Sequence, residues 1–227
     1  MEHKAQIRTA RITGFWYLML AISGVFGFMV FNSQVYIADD YQQTLNNLVE
    51  HTGIARWRLL FECIIIASQA MAAIYFYKLF APLNKPLALG IGIWGTVNAM
   101  IIMISAVAIQ SSIDFALSGQ LADTEKLSLI ALCMSFMSNA WSLGGIFFGL
   151  WLLPMGYVVI KTKSMSVWLG RVLVLGGFSY LVQTALSVMG VEGAILNIIP
   201  IPATIGELWM IGYLFIYGIK ANEESNA

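Results

Sequence analysis

Apolar residues in this chain arrive in long runs, without the alternation or one-sided periodicity of a water-facing domain. Six runs stand out, at residues 12–31, 59–80, 87–110, 130–160, 169–189 and 199–219. Each is long enough to cross a hydrocarbon layer as a helix, which takes about 20 residues. A backbone in lipid must satisfy its own hydrogen bonds, so such segments are helices and not isolated strands. The pattern predicts an all-α membrane bundle of six transmembrane helices, forming one integral membrane domain over residues 1–227. The polar breaks are short, apart from 32–57 and 111–127. The fourth run is longer than a span needs. Pro154 is expected to kink it, or its outer end to protrude.

One polar break carries a pattern of its own. In DDYQQTLNNLVEHTG the Asp39–Asp40 pair suits a helix N-cap and Gly53 suits a helix stop. Tyr41, Leu45, Leu48 and Val49 fall at i, i+4, i+7 and i+8, the apolar face of an amphipathic helix. This extra helix is expected on the outer membrane surface or over the bundle. It either closes a long loop or forms a lid over a site. GFWYL at 14–18 echoes GFSYL at 177–181. A three-plus-three repeat would pair span one with span four, whereas the echo joins span one to span five. It is read as coincidence.

Composition agrees with the pattern. The chain is 59% hydrophobic and 11% charged, with a mean hydropathy of +0.78. A soluble domain carries about 25% charged residues. The lipid bilayer is therefore the expected partner of most of this surface. Lys+Arg and Asp+Glu are equal at 12 each, so no charge excess points to nucleic acid. Nine of the basic residues (Lys4, Arg8, Arg11, Lys78, Lys85, Lys161, Lys163, Arg171, Lys220) fall on one side of the predicted spans. Arg56, Arg58 and Lys126 fall on the other. Positive residues mark the cytoplasmic side, which places both termini inside. Lys4, Arg8 and Arg11 before an apolar run resemble a secretory signal, but the run is too long for one and no small-residue cleavage site follows. It is expected to stay as the first span. Cys63 and Cys133 lie in apolar runs without metal-ligand spacing and are expected to be packed thiols, pairing only if their spans are neighbours.

The candidate chemistry lies in the polar residues that interrupt the runs. At 100° per residue, Arg58, Glu62 and Gln69 lie within about 40° of each other on the second span. Arg58 and Glu62 are an i, i+4 pair. Glu207 sits about one to two turns into the last span, at a depth close to that of Glu62. Span three offers Asn98. Span four offers Ser135, Ser138, Asn139 and Ser142. Span five offers Gln183, Thr184 and Ser187. Buried polar residues of membrane proteins face the bundle interior. These groups are therefore expected to form an outer-half polar cluster around Arg58, Glu62 and Glu207. Two readings stand: the groups bond one another and fix helix packing, or they form a ligand, ion or proton site. In the second, Arg58 anchors an anionic group or holds Glu62, and Glu207 attracts a cation or carries a proton.

Span four also carries Ser135, Ser138, Ser142, Gly145 and Gly149 at three- and four-residue steps, a stripe that lets another helix approach. It packs within the chain, makes a homo-oligomer or docks another membrane protein. A membrane enzyme acting on lipid or isoprenoid groups, with Glu62 and Glu207 as acid and base, is a further alternative. The only histidines are His3 and His51. No nucleotide loop, metal-ligand motif or nucleophile elbow is present in the sequence, so no catalytic residue, metal or cofactor is assigned.

Several segments resemble a known family. RITGFWYL at 11–18, Asp40, Thr44 and Asn47, Arg58, SLGGIFFGLWLLPMGYVVIK at 142–161 and LGRVLVLGGFSYL at 169–181 are similar to domain of unknown function 4386. The resemblance implies a multi-pass protein of a bacterial plasma membrane. It implies no activity, substrate or cofactor.

The charge count predicts a topology. Whole cells treated with a membrane-impermeant maleimide should label a cysteine placed at Gly119 and spare one placed at Asn84. The reverse pattern would invert the orientation.

Overall fold

The computed structural model describes residues 2–220. Met1, residues 221–227 and the side chains of Glu2 and His3 lie outside the described residues. The helices are α1 (Glu2–Val25), α2 (Ser33–Val35), α3 (Tyr41–Glu50), α4 (Thr52–Phe80), α5 (Lys85–Leu117), α6 (Asp123–Thr162), α7 (Val167–Val188), α8 (Ile195–Ile198) and α9 (Ile201–Ile216). A π-helical segment, Phe26–Asn32, joins α1 to α2. No strand occurs among the described residues. Six helical stretches, Lys4–Val35, Thr52–Phe80, Lys85–Leu117, Asp123–Thr162, Val167–Val188 and Ile195–Ile216, are long and apolar enough to cross a membrane. The chain is a multi-pass membrane protein.

Several helices outgrow their apolar runs, because backbone bonding continues where the side chains turn polar. α6 has 40 residues and stays helical through Pro154. At about 1.5 Å per residue it is roughly 60 Å long, twice a hydrocarbon core of about 30 Å. Each span keeps exposed apolar residues, as lipid contact requires. Met100, Met103 and Val107 on α5 are examples. What is buried follows narrow lines at three- and four-residue steps. On α4 the line is Ala55, Arg58, Glu62, Ile65, Gln69, Ala72 and Phe76, all at 0% exposure. On α5 it includes Ile91, Asn98, Ser105 and Ser112.

The chain divides into two compact units. Among the described residues, one comprises 2–18, 68–98 and 145–220, and the other Met19–Ala67 and Ala99–Gly144. In the first unit the contacts run through glycines. A Cβ on Gly149 would lie 2.8 Å from the Gly177 carbonyl oxygen, and one on Gly156 would lie 2.6 Å from that of Gly170. A Cβ on Gly145 would overlap the Thr184 hydroxyl. The glycines of the span-four stripe are therefore spent on α7 of the same chain. Gly176 meets Ala203, which brings α7 against α9.

In the second unit Val35, Leu48, Ile109, Ile113 and Ile130 form the centre of an apolar core. α3 docks on the segment before it. Its N-cap Asp40 accepts from the Gln43 backbone N–H at 2.8 Å. Thr44 Oγ1 accepts from Ile37 N–H at 3.0 Å, and Asn47 Nδ2 donates to the Val35 carbonyl at 3.3 Å. The buried face differs from the expected one. Leu45 and Leu48 are buried, but Tyr41 and Val49 are 42% and 49% exposed, while Thr44 and Asn47 are buried in their place. Local bonds to the backbone at 35–37 outweigh the apolar pattern there. Gly53 does not end α3. His51 is the C-cap and Gly53 lies in the first turn of α4. Both cysteines are free. Cys133 is buried as expected, whereas Cys63 is exposed on α4 because it sits beside the buried line and not on it.

Replacing Gly156 by Leu should lower stability by about 1–3 kcal/mol or more, because the added side chain meets backbone. Leu at Gly90, whose Cβ position has nothing within 4 Å, should change little. Equilibrium unfolding in mixed micelles reads both.

Candidate functional site

The second unit holds a buried ion pair. Arg58 and Glu62 both have fully buried side chains, and Arg58 Nη1 donates to Glu62 Oε2 at 2.6 Å. The i, i+4 spacing brings them together on one turn of α4. Arg58 Nε donates to Asn32 Oδ1 at 3.1 Å, and the guanidinium carbon lies 4.5 Å from the centre of the Phe28 ring. Both partners come from the π segment, a feature often found at functional positions. The other carboxylate oxygen, Glu62 Oε1, accepts from Trp141 Nε1 at 3.0 Å, and the same N–H reaches Ser105 Oγ at 3.2 Å. Phe28 meets the Trp141 ring edge-on at 4.6 Å. Tyr36 Oη and Ser112 Oγ share a hydrogen bond of 2.8 Å in the same unit. Burial pushes the Tyr36 phenol up to about 12.

One group is left over. Arg58 Nη2 is buried without a hydrogen-bond partner in the protein. Both oxygens of Glu62 are satisfied, and the Arg58–Glu62 pair is formally neutral. Arg58 therefore holds Glu62, and its remaining N–H groups are free to donate.

The first unit holds a carboxyl group of another kind. Tyr17 Oη donates to Glu207 Oε1 at 2.9 Å, and Tyr180 Oη donates to Oε2 at 3.2 Å. No basic side chain pairs with Glu207 among the described residues. The Tyr17 ring packs edge-on against Phe76 and Trp151, each at 5.3 Å between ring centres. Gln69 Nε2 donates to the Gly95 carbonyl at 3.3 Å. Gln69 Oε1, both amide atoms of Asn98, Ser68 Oγ and Trp151 Nε1 are buried without a protein partner.

The candidate residues fall in both units. Arg58 and Glu62 belong to one unit, and Gln69, Asn98 and Glu207 to the other. Glu62 is bonded to Arg58 and Trp141, and Glu207 to Tyr17 and Tyr180. Asn139 lies on an exposed face of α6 and donates to Ser135 of its own helix at 3.3 Å. Gln183 ties α7 to the Leu196 carbonyl at 2.9 Å. Ser142 is half-buried. The grooves of about 390 and 420 Å³ on the helix surfaces are lined almost wholly by apolar residues such as Ile74, Leu89, Met103 and Phe136, and by none of the candidates.

Sequence reasoning missed the aromatic partners. Trp141, Tyr17 and Tyr180 look like ordinary apolar-run residues until a carboxylate is placed beside them. A signal for the tyrosines existed. Tyr17 and Tyr180 occupy the same place in GFWYL and GFSYL, and both meet Glu207. The seven-residue spacing of Asn98, Ser105 and Ser112 likewise marked the polar line of α5.

The model of the family described as domain of unknown function (DUF4386) matches residues 12–218, and the chain belongs to that family. Neither a curated protein nor a solved structure matches the chain.

Replacing Arg58 by Met should destabilise the protein by about 3–5 kcal/mol, since it strands a buried carboxylate. The double substitution Arg58→Met with Glu62→Met should recover most of that loss. A double-mutant cycle in mixed micelles measures the coupling, and additive losses would show that the pair does not act as a unit.

Proposed function

We propose that this member of the family binds or transports a small ligand in the outer half of the membrane, and that Arg58 holds it. The single observation behind this reading is Arg58 Nη2, a charged donor buried without a protein acceptor. A buried donor left unmade costs about 1–3 kcal/mol, more when charged. Most such groups in proteins meet water or a ligand.

The surroundings favour one chemistry for that ligand. Glu62 already neutralises Arg58. An anion added there would leave an excess negative charge in a poorly solvated place, at a cost of several kcal/mol. A neutral molecule with a carbonyl or hydroxyl oxygen accepts from Nη2 without that cost. The flat faces of Phe28 and Trp141 suit an apolar or planar body attached to such an oxygen. Anchoring of an anion by Arg58 is correspondingly disfavoured. The docked α3 fits the lid reading of the outer helix, since it belongs to the same unit as the ion pair.

The alternatives have weaker support. The docking reading has less of its stripe to use, because Gly145 and Gly149 pack on α7 of the same chain while Ser135 and Ser138 are exposed. The enzyme reading draws no support from the hydrogen bonds seen, which tie Glu62 to Arg58 and Trp141 and Glu207 to Tyr17 and Tyr180.

A thermal-unfolding screen in nanodiscs tests the proposal, using small ketones, amides and quinones beside carboxylates of matched shape. At least one neutral compound should raise the unfolding temperature of the wild type by several degrees and lose its effect in Arg58→Lys. That variant keeps a positive charge for Glu62 but has no second terminal nitrogen. Equal responses in both proteins, or stabilisation by the carboxylates alone, would overturn the assignment.

A further inference from the structure

The carboxyl group of Glu207 and the unpartnered amides of Gln69 and Asn98 belong to one unit, and the Arg58 site belongs to the other. Five side-chain atoms there, on Ser68, Gln69, Asn98 and Trp151, are buried without a protein partner. Leaving all five unmet would forfeit the hydrogen bonds each makes to water in the unfolded chain, a large loss for one region. Buried polar atoms of this kind are usually met by ordered water making two to four bonds.

These atoms are contributed by α4, α5 and α6, and the Gln69 and Trp151 side chains meet at Gly95 of α5. A Cβ built on Gly95 would lie 3.3 Å from Trp151 Nε1 and 3.4 Å from Gln69 Nε2. Asn98 stands one turn further along α5 and is fully buried. Trp151 continues the line, since its ring touches Tyr17, whose hydroxyl donates to Glu207. The group is neutral and mixes donors with acceptors, which suits water and not a bound ion. At its end stands a carboxyl whose described polar partners are two phenols, Tyr17 on α1 and Tyr180 on α7. A bare negative charge inside a span is costly, so a carboxyl there is a natural place to hold a proton.

We propose that Glu207 is a proton-exchange site, reached through a hydrated file formed by Ser68, Gln69, Asn98 and Trp151. The Glu207 carboxyl takes a proton from the file and returns it there, with Tyr17 and Tyr180 as the titratable groups facing it. Asn98, with donor and acceptor both free, is the central contact for water. Gly95 keeps the space beside it open, since any side chain would press on Ala73, whose Cβ would lie 2.7 Å away.

Infrared spectroscopy of the full chain in nanodiscs tests this. The carboxylic C=O stretch that disappears in Glu207→Gln, or moves in Glu207→Asp should the first variant fail to fold, is assigned to Glu207. In the wild type it should shift promptly on transfer to D2O. Asn98→Leu, which replaces the amide by an apolar group of similar size, should slow that shift by roughly tenfold or more, a barrier rise of about 1.4 kcal/mol. Arg58→Lys should leave it unchanged, which separates this result from any failure of the ligand site. Absence of a carboxylic band from Glu207, a band that resists exchange for hours, or Asn98→Leu exchanging as fast as wild type would each overturn the proposal.

Discussion

A charge inside a membrane span must be neutralised within a few ångströms, and in this protein the contact between Arg58 and Glu62 does so. Much of the second unit follows from keeping that pair intact. Asn32 and Phe28 are brought to the guanidinium by a local change from α- to π-helix. Trp141 approaches from α6 and Ser105 from α5, so that the second carboxylate oxygen is also served. The pair is an internal polar centre around which one arrangement of helices is better satisfied than its neighbours. Such a role in specifying packing is distinct from a contribution to net stability, which desolvation largely offsets.

The first unit is held by other means. Lipid tails are as apolar as the helix surfaces, so burial of leucine alone gives helices little reason to associate. Close approach supplies the attraction, and Gly149, Gly156, Gly170 and Gly177 allow it by removing side chains at the α6–α7 contact. Gly95 does the same between α4 and α5. Where backbones come this close, the side chains at the contact have few partners to choose from. That accounts for buried amides on Gln69 and Asn98 whose bonding capacity the protein itself does not use up.

The two polar centres differ in charge, and this difference separates their chemistry. Around Arg58 the fixed charges cancel and a donor remains, which favours an uncharged acceptor. Around Glu207 there is one acidic group with two phenolic donors and no cationic partner among the described residues, which favours a proton.

The sequence by itself determined the class of the molecule. Runs of about 20 apolar residues can only be spans, because hydrocarbon leaves the backbone no other way to bond. It also determined that Arg58, Glu62 and Gln69 share a face of α4, since helical periodicity fixes angles along one element, and all three are fully buried. Tertiary structure decided which elements those faces meet. Similar depth suggested that Glu62 and Glu207 would join in one cluster, but depth carries no information about azimuth or neighbours. Glu62 is bonded to Arg58 and Trp141, and Glu207 to Tyr17 and Tyr180, and all of these but Arg58 are supplied by the packing of other helices. Asn139 turned outward for the same reason: its polarity was legible, and the direction it faces depends on what packs against α6. Composition and spacing specify what a helix can offer, while only the packing of other helices specifies what accepts it.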